Sequence, residues 1–82
     1  MPITVHFYGP LGEAIGRGVM IEAADADTVG ALRTALAQRW PDHAEALLSP
    51  RLKTLIDDIF VGDDAVLEAV ATVEFLPPVS GG

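Results

Sequence analysis

One segment of the sequence, 28-TVGALRTALAQRW-40, has the residue spacing of an amphipathic helix. Its recurring apolar positions are Val29, Leu32, Leu36 and Trp40. Thr28 is a residue type that caps helix N-termini, and Pro41 ends the helix because proline has no amide donor. We expect Arg33 and Arg39 on the opposite, solvent-exposed face. Because 82 residues form only one core, the other elements must pack against this helix.

Short runs of β-branched and aromatic residues on both sides of the helix predict strands. The runs are 3-ITVHFY-8, 19-VMIEA-23, 52-LKTLID-57, 59-IFV-61 and a last strand over residues 71–76. Alternation within the first run directs Ile3, Val5 and Phe7 to the core. A short glycine-containing link makes the first two strands an antiparallel hairpin. The order of elements therefore predicts an α+β protein with a β-grasp, ubiquitin-like fold, in which a mixed sheet of about five strands covers one main helix.

Charge and composition exclude several classes of function. Five basic residues against twelve acidic ones give a net charge of −7, which opposes binding to nucleic acid or to an anionic membrane. The same charge favours a protein partner with a basic docking surface, and the alternative is that it only maintains solubility. The absence of cysteine fits a reducing compartment, and Met1 is followed by a strand-like run rather than by a signal peptide. We therefore expect a cytoplasmic protein.

The polar residues do not form a recognisable catalytic or metal-binding motif. His6 and His43 are too few for a metal site or a triad. Paired aspartates at 57–58 and 63–64 lack further ligands at calcium-loop spacing and are typical of turns. The glycines between residues 9 and 18 are not followed by the lysine of a phosphate loop. The sequence predicts no metal site, no bound cofactor and no enzyme activity of this chain on its own.

The last residues, 75-FLPPVSGG-82, have an unusual composition for the end of a strand. Pro77 and Pro78 lack amide donors, so they end the strand and hold the following chain extended. The sequence thus predicts a β-grasp domain over residues 1–76 and an extended tail over residues 77–82.

The tail has properties that suit a reactive terminus. Val79 and Ser80 are small enough to lie along a groove in a partner, and Gly81 and Gly82 have no Cβ, so they fit a narrow channel. A carboxylate of Gly82 presented in this way is able to attack the α-phosphate of ATP and form an acyl-adenylate. The alternative is an unstructured terminus without a function.

Three segments carry a resemblance to a known family: 75-FLPPVSGG-82, 28-TVGALRTAL-36 and 5-VHFYGPLGEAIG-16. Over essentially its whole length, the chain resembles the ubiquitin-like sulfur carriers, and most closely the small, MoaD-type subunits of molybdopterin synthase. One difference is Gly12, where some relatives have a basic residue that pairs with a partner.

The resemblance implies a mechanism and partners. An E1-like activating enzyme of the MoeB type would use ATP to adenylate Gly82, and a persulfide donor would convert the adenylate to a thiocarboxylate. The tail would then enter a large, MoaE-type subunit in an expected heterotetramer. There the sulfur would pass to cyclic pyranopterin monophosphate to build the molybdopterin dithiolene. In this family the catalytic side chains belong to the large subunit.

A docking patch is expected at the base of the tail. If Val73 and Phe75 face the core, Leu76 points outward by alternation. Alternation along their own strands also directs Tyr8 and Phe60 outward. Exposed apolar residues that lie together often mark a protein interface. The matching positions of the family lie at partner interfaces, so Tyr8, Phe60 and Leu76 are the candidate docking residues.

Two other interpretations fit the same sequence. In the first, the chain carries sulfur for thiamine, cysteine or tRNA thiolation, or acts as a ubiquitin-like protein modifier, because these proteins share the terminal diglycine. In the second, it is a β-grasp interaction module without an activated carboxylate. The second interpretation predicts that removal of Gly81 and Gly82 leaves function intact.

Overall fold

A computed structural model of the chain describes residues 2–22, 26–68, 70 and 72–77. In these ranges the strands and α-helices follow one another as β1 (Pro2–Phe7), α1 (Pro10–Ile15), β2 (Gly18–Glu22), α2 (Val29–Arg39), α3 (Ala44–Leu47), β3 (Lys53–Ile56), β4 (Ile59–Val61) and β5 (Thr72–Leu76). A 3-10 turn at Pro41–His43 joins α2 to α3. The predicted tail residues Pro78, Val79, Ser80, Gly81 and Gly82 lie outside the described residues, and the predicted division into residues 1–76 and 77–82 stays a prediction.

The strands form one mixed sheet in the order β2-β1-β5-β3-β4. The middle strand β5 is parallel to its neighbour β1, although the two lie at opposite ends of the chain. The outer pairs β1–β2 and β3–β4 are antiparallel hairpins, and β3 also pairs antiparallel with β5. This is the β-grasp arrangement, and it confirms the predicted α+β class.

The core lies between the sheet and α2. Val29, Leu32 and Leu36 are completely buried along one side of the helix, as their spacing predicts. They pack in one cluster with the inward-facing residues of the central strands. The predicted cap is also present, because the Thr28 hydroxyl accepts a hydrogen bond of 3.2 Å from the amide of Ala31.

The prediction for Arg33 is wrong, because this residue is only 5% exposed. Its Nε donates to the carbonyl oxygen of Leu47 at 2.7 Å, and Nη2 donates to that of Ser49. Nη1 donates to Oδ1 of Asp63 at 3.0 Å. A buried guanidinium requires such acceptors, since an unpaired charge inside a protein is strongly unfavourable. Arg33 thus holds α2 against the end of α3 and the segment that follows it.

The turn between β3 and β4 consists of Asp57 and Asp58, as predicted. Both residues have positive φ, 53° and 65°, which is the backbone geometry of a two-residue hairpin turn. Aspartate tolerates this conformation better than most residues. The turn sets the register in which Leu55 is paired with Phe60.

The link from β4 to β5 is attached to the start of α2 by main-chain hydrogen bonds. The amide of Val29 donates to the carbonyl oxygen of Ala65 at 3.0 Å, and that of Gly30 donates to Asp63 at 2.8 Å. These bonds satisfy two of the amides that the first turn of a helix leaves without an intrahelical partner.

Candidate functional site

The parallel pairing of β1 and β5 places the end of the last strand at the centre of the sheet. Phe7 and Phe75 are register partners, and their buried rings stack with centroids 5.7 Å apart and an interplanar angle of 18°. Offset or tilted aromatic pairs of this kind stabilise a core beyond their buried area. The root of the predicted tail is therefore anchored in the core through Phe75.

The pairing of β1 with β5 continues one residue beyond the end of β1. The amide of Tyr8 donates to the carbonyl oxygen of Phe75 at 3.1 Å. Pro77 then comes to lie directly against Gly9, where a Cβ on Gly9 would be 2.9 Å from Cγ of the proline. The main chain around Gly9 thus forms one wall beside Pro77, which is the first residue of the predicted tail and the last residue that the structure describes.

A groove lies on the surface next to Pro77. It has a volume of about 200 Å³, and Tyr8, Pro10, Leu11 and Leu52 contribute to its lining together with the proline. These side chains are mostly apolar. Pro77 is half-buried between this groove and Gly9.

The predicted docking residues lie on the face of the sheet that is turned away from α2. Phe60 is 65% exposed on β4, and Tyr8 is 46% exposed just after β1. Leu76 is half-buried at the end of β5, where it is the register partner of Lys53. Tyr8 and Leu76 thus lie at the base of the tail, whereas Phe60 lies on the edge strand, two strands away from β5. The role of all three residues in docking stays a prediction.

One further residue on this face, Leu55, was missed by the sequence reasoning. Leu55 on β3 is the register partner of both Phe60 and Glu74, so it lies between them. The alternation within β3 was the available signal, because Thr54 is buried and Leu55 therefore points outward. We call Tyr8, Leu55, Phe60, Glu74 and Leu76 together the outer-face patch.

Glu74 gives this otherwise apolar patch a negative charge. The Tyr8 hydroxyl donates a hydrogen bond of 2.6 Å to Oε2 of Glu74. This bond and the nearby carboxylate charge favour the protonated phenol, so they raise the pKa of Tyr8 above its ordinary value of 10.0. The bond also fixes the orientation of the Tyr8 ring above the end of β5.

Gly12 occupies a position on α1 that has no space for a side chain. A Cβ added there would lie 2.5 Å from the carbonyl oxygen of Phe7. Close contact with β1 is thus a physical reason for glycine at this position, where the resemblance led us to look for a basic residue.

The part of the chain that the structure describes contains neither a cluster suited to a metal ion nor a helix suited to a lipid bilayer. No group of three or more histidine, aspartate or glutamate residues there has an arrangement that would hold a metal ion. None of the helices described is both long and apolar enough to cross a lipid bilayer.

Comparison with known proteins gives matches over nearly the whole chain. Residues 5–82 match the model of the ThiS family. The chain is 35% identical over 80 residues to the molybdopterin synthase sulfur carrier subunit of Escherichia coli strain K12, a match that covers 98% of this chain and 99% of that protein. The crystal structure of SAMP1 from Haloferax volcanii is similar over 100% of both chains, with a TM-score of 0.82 and 22% identity. This last match confirms the β-grasp fold.

Proposed function

Because this chain belongs to the ThiS family of ubiquitin-like sulfur carriers, we propose that it is the sulfur-carrying small subunit of a molybdopterin synthase. The observation that carries the proposal is the 35% identity to the Escherichia coli sulfur carrier subunit over almost the full length of both proteins. The family match extends to residue 82 and thus includes the predicted tail.

The first chemical step takes place at Gly82. In an E1-like enzyme of the MoeB type, the carboxylate of Gly82 attacks the α-phosphorus of ATP, and pyrophosphate leaves. The product is an acyl-adenylate, whose carbonyl carbon is open to a sulfur nucleophile. Val79, Ser80 and Gly81 lie along the enzyme's channel in this step, and Pro77 and Pro78 keep the tail extended. ATP is consumed by the partner, and this chain binds no cofactor of its own.

The second step introduces sulfur. The terminal sulfur of a persulfide attacks the acyl carbon, and AMP leaves. A thiol then cleaves the sulfur–sulfur bond of the resulting acyl disulfide, which releases the Gly82 thiocarboxylate and leaves a disulfide on the donor side. The thiocarboxylated tail enters a MoaE-type large subunit, which transfers the sulfur to cyclic pyranopterin monophosphate. Two thiocarboxylated carriers supply the two sulfurs of one dithiolene.

In the synthase, this chain donates the sulfur and so acts in the manner of a substrate. The catalytic side chains belong to the large subunit, and the assembly is a heterotetramer of two small and two large subunits. Both partners approach the outer-face patch, which extends from the base of the tail to β4 and offers apolar contact area around Glu74. Activation and transfer take place in the cytoplasm.

Intact-mass spectrometry tests the carrier function directly. The purified chain is incubated with ATP, a MoeB-type enzyme and a sulfur source, and the wild type should gain about 16 Da as one oxygen is replaced by sulfur. A variant without Gly81 and Gly82 should gain no mass and should unfold at the same temperature as the wild type. The unreacted wild-type mass also verifies that the chain ends at Gly82. An unchanged wild-type mass with an active enzyme would refute the proposal.

A second assay identifies the acceptor. The thiocarboxylated chain is mixed with a MoaE-type subunit and cyclic pyranopterin monophosphate, and the dithiolene product is measured. Product formation supports the molybdopterin assignment. A thiocarboxylate that forms but is not consumed would instead indicate a carrier for another sulfur pathway within the same family.

A further inference from the structure

Gly9 has a backbone conformation that only glycine adopts readily. Its φ of 70° and ψ of −147° place it near the region where other residues are essentially absent, because their Cβ would collide with the main chain. Gly9 immediately precedes α1 and follows Tyr8, whose amide is bonded to Phe75. The unusual conformation therefore occurs at the point where the chain turns away from the last strand.

A side chain on Gly9 would also collide with Pro77. The nearest atoms to an added Cβ are Cγ, Cβ and Cδ of Pro77, at 2.9, 3.4 and 3.5 Å. The proline ring is closed onto its own main-chain nitrogen, so Cγ has little freedom to rotate away as the end of a flexible side chain would. Relief of the contact must therefore move the main chain at residue 77.

The groove beside Pro77 provides space for such a movement. The proline ring lines this groove of about 200 Å³, so a displaced ring has somewhere to go without disturbing the buried core. Phe75, in contrast, is held by its stacking on Phe7 and by the hydrogen bond from Tyr8. A side chain at position 9 would thus redirect the chain after Leu76 rather than unfold the domain.

We infer that Gly9 is a positioning residue for the tail: its missing side chain lets Pro77 rest against the main chain and so sets the direction in which residues 78–82 leave the domain. The inference rests on the proposed function of the tail. It adds to that function a requirement for glycine at position 9, which lies in the domain itself, 68 residues before Pro77.

The length of the tail makes its starting direction important. Five residues after Pro77 span at most about 17 Å, so a change of about 10° at the root displaces the end by about 3 Å. A displacement of this size moves the end of the tail away from the entrance of a partner's channel and so weakens binding of the carrier. A tail that starts in the right direction also loses less conformational entropy when it enters a channel.

Gly16 provides a matched control. It has φ 119° and ψ 152°, which is also a conformation reserved for glycine, and it lies at the other end of α1. A Cβ on Gly16 would have no atom within 4 Å. Gly16→Ala therefore introduces backbone strain of the same kind as Gly9→Ala, but without the collision at the tail.

Steady-state kinetics of thiocarboxylate formation test the inference, with a MoeB-type enzyme, ATP and a sulfur source at varied carrier concentrations. We expect Gly9→Ala to raise KM for the carrier about tenfold with kcat within about twofold, whereas Gly16→Ala leaves both close to wild type. Pro77→Ala removes Cγ, so in that background the effect of Gly9→Ala on KM should shrink to less than about twofold. Equal KM values for Gly9→Ala and Gly16→Ala, or an undiminished effect in the Pro77→Ala background, would overturn the inference.

An NMR comparison separates this inference from the proposed function, because it requires no enzyme. The wild type and Gly16→Ala should show cross-relaxation between the Gly9 α protons and the Pro77 ring, and similar amide shifts for residues 79–82. Gly9→Ala should shift those tail amides while the core signals stay in place. Unchanged tail shifts in Gly9→Ala would refute the positioning role even if the carrier is active. A wild type that never forms a thiocarboxylate would refute the proposed function, and the tail shifts would still decide the role of Gly9.

Discussion

The guanidinium of Arg33 lies 3.0 Å from the carboxylate of Asp63, yet the two side chains differ strongly in exposure, 6% against 64%. The other two acceptors of Arg33 are the main-chain oxygens of Leu47 and Ser49. A carboxylate that is mostly in water contributes little through an ion pair. The two carbonyl oxygens therefore account for most of the stabilisation, because a buried acceptor that loses its donor has no substitute.

Arg33→Met tests whether the two carbonyl oxygens account for most of the stabilisation. The substitution leaves the oxygens of Leu47 and Ser49 without their donor, so we expect the free energy of unfolding to fall by about 3 kcal/mol. For a domain of this size, that change lowers the midpoint of thermal unfolding by about 15 °C. Asp63→Asn, which removes only the exposed charge, should reduce the free energy by about 0.5 kcal/mol.

Arg39→Met is the control for a charge lost from the same helix. Arg39 is exposed and its guanidinium lies 4.8 Å from the ring centroid of Trp40, a contact that contributes about 0.5–1 kcal/mol at the surface. Chemical denaturation of all three variants compares them directly. A loss for Arg33→Met no larger than that for Arg39→Met would contradict the role of the two carbonyl bonds.

Arg33 also shows where sequence reasoning reaches its limit. The position lies four residues after Val29 and so on the same side of α2, but the charge led us to expect exposure. Only the placement of α3 and of the residues after it brings the carbonyl oxygens of Leu47 and Ser49 to this point. The strands were predictable, in contrast, because alternation in β1 and β5 directly reflects which residues are buried.

Some features of the candidate site were likewise predictable from the sequence, and others were not. The composition of residues 77–82 and the outward parity of Phe60 and Leu76 follow from local patterns. The bond from Tyr8 to Glu74 joins residues 66 positions apart, and it depends on the parallel register of β1 and β5. A single sequence contains no local signal for such a register, so neither this bond nor the contact between Gly9 and Pro77 was foreseen.

Gly12→Ala gives a prediction in which two effects have opposite signs. Helix propensity alone would favour alanine in α1 by about 1 kcal/mol. The added Cβ would lie 2.5 Å from the carbonyl oxygen of Phe7, and main-chain atoms in a central strand have little room to shift. We expect the collision to dominate and to lower the free energy of unfolding by about 2 kcal/mol.

Gly18→Ala serves as the comparison for Gly12→Ala. At this position on β2 the nearest atoms to an added Cβ belong to the His6 ring, at 3.8 Å, which is an ordinary van der Waals contact. The free energy of unfolding should change by no more than about 0.5 kcal/mol. Denaturant titrations measure both variants, and a stabilised Gly12→Ala would show that α1 moves away from β1 without difficulty.

The hydrogen bond from Tyr8 to Glu74 predicts a specific pH dependence. Because the folded state raises the pKa of Tyr8, the bond contributes to stability at pH values below the ordinary pKa of about 10, and the contribution disappears as pH rises through the higher pKa of the folded state. The difference in unfolding free energy between the wild type and Tyr8→Phe should thus be constant up to about pH 9 and shrink above pH 10.

Tyrosinate absorbance measures the same shift, since Tyr8 is the single tyrosine of the chain. Its titration midpoint should fall towards the ordinary value in Glu74→Gln. Glu68→Gln, which changes an exposed glutamate outside the patch, should leave the midpoint unchanged. Identical midpoints in the wild type and Glu74→Gln would mean that the bond does not persist in solution.

The outer-face patch predicts how two neighbours on β4 differ in partner binding. Phe60 and Ile59 are almost equally exposed, at 65% and 64%, but they point to opposite faces of the strand. Calorimetric titration with the MoaE-type subunit should show that Phe60→Ala weakens binding by about 2 kcal/mol, about thirtyfold, as expected for a central aromatic contact. Ile59→Ala should change the affinity less than about twofold, and equal losses in the two variants would place the interface on the edge of β4 rather than on the outer face.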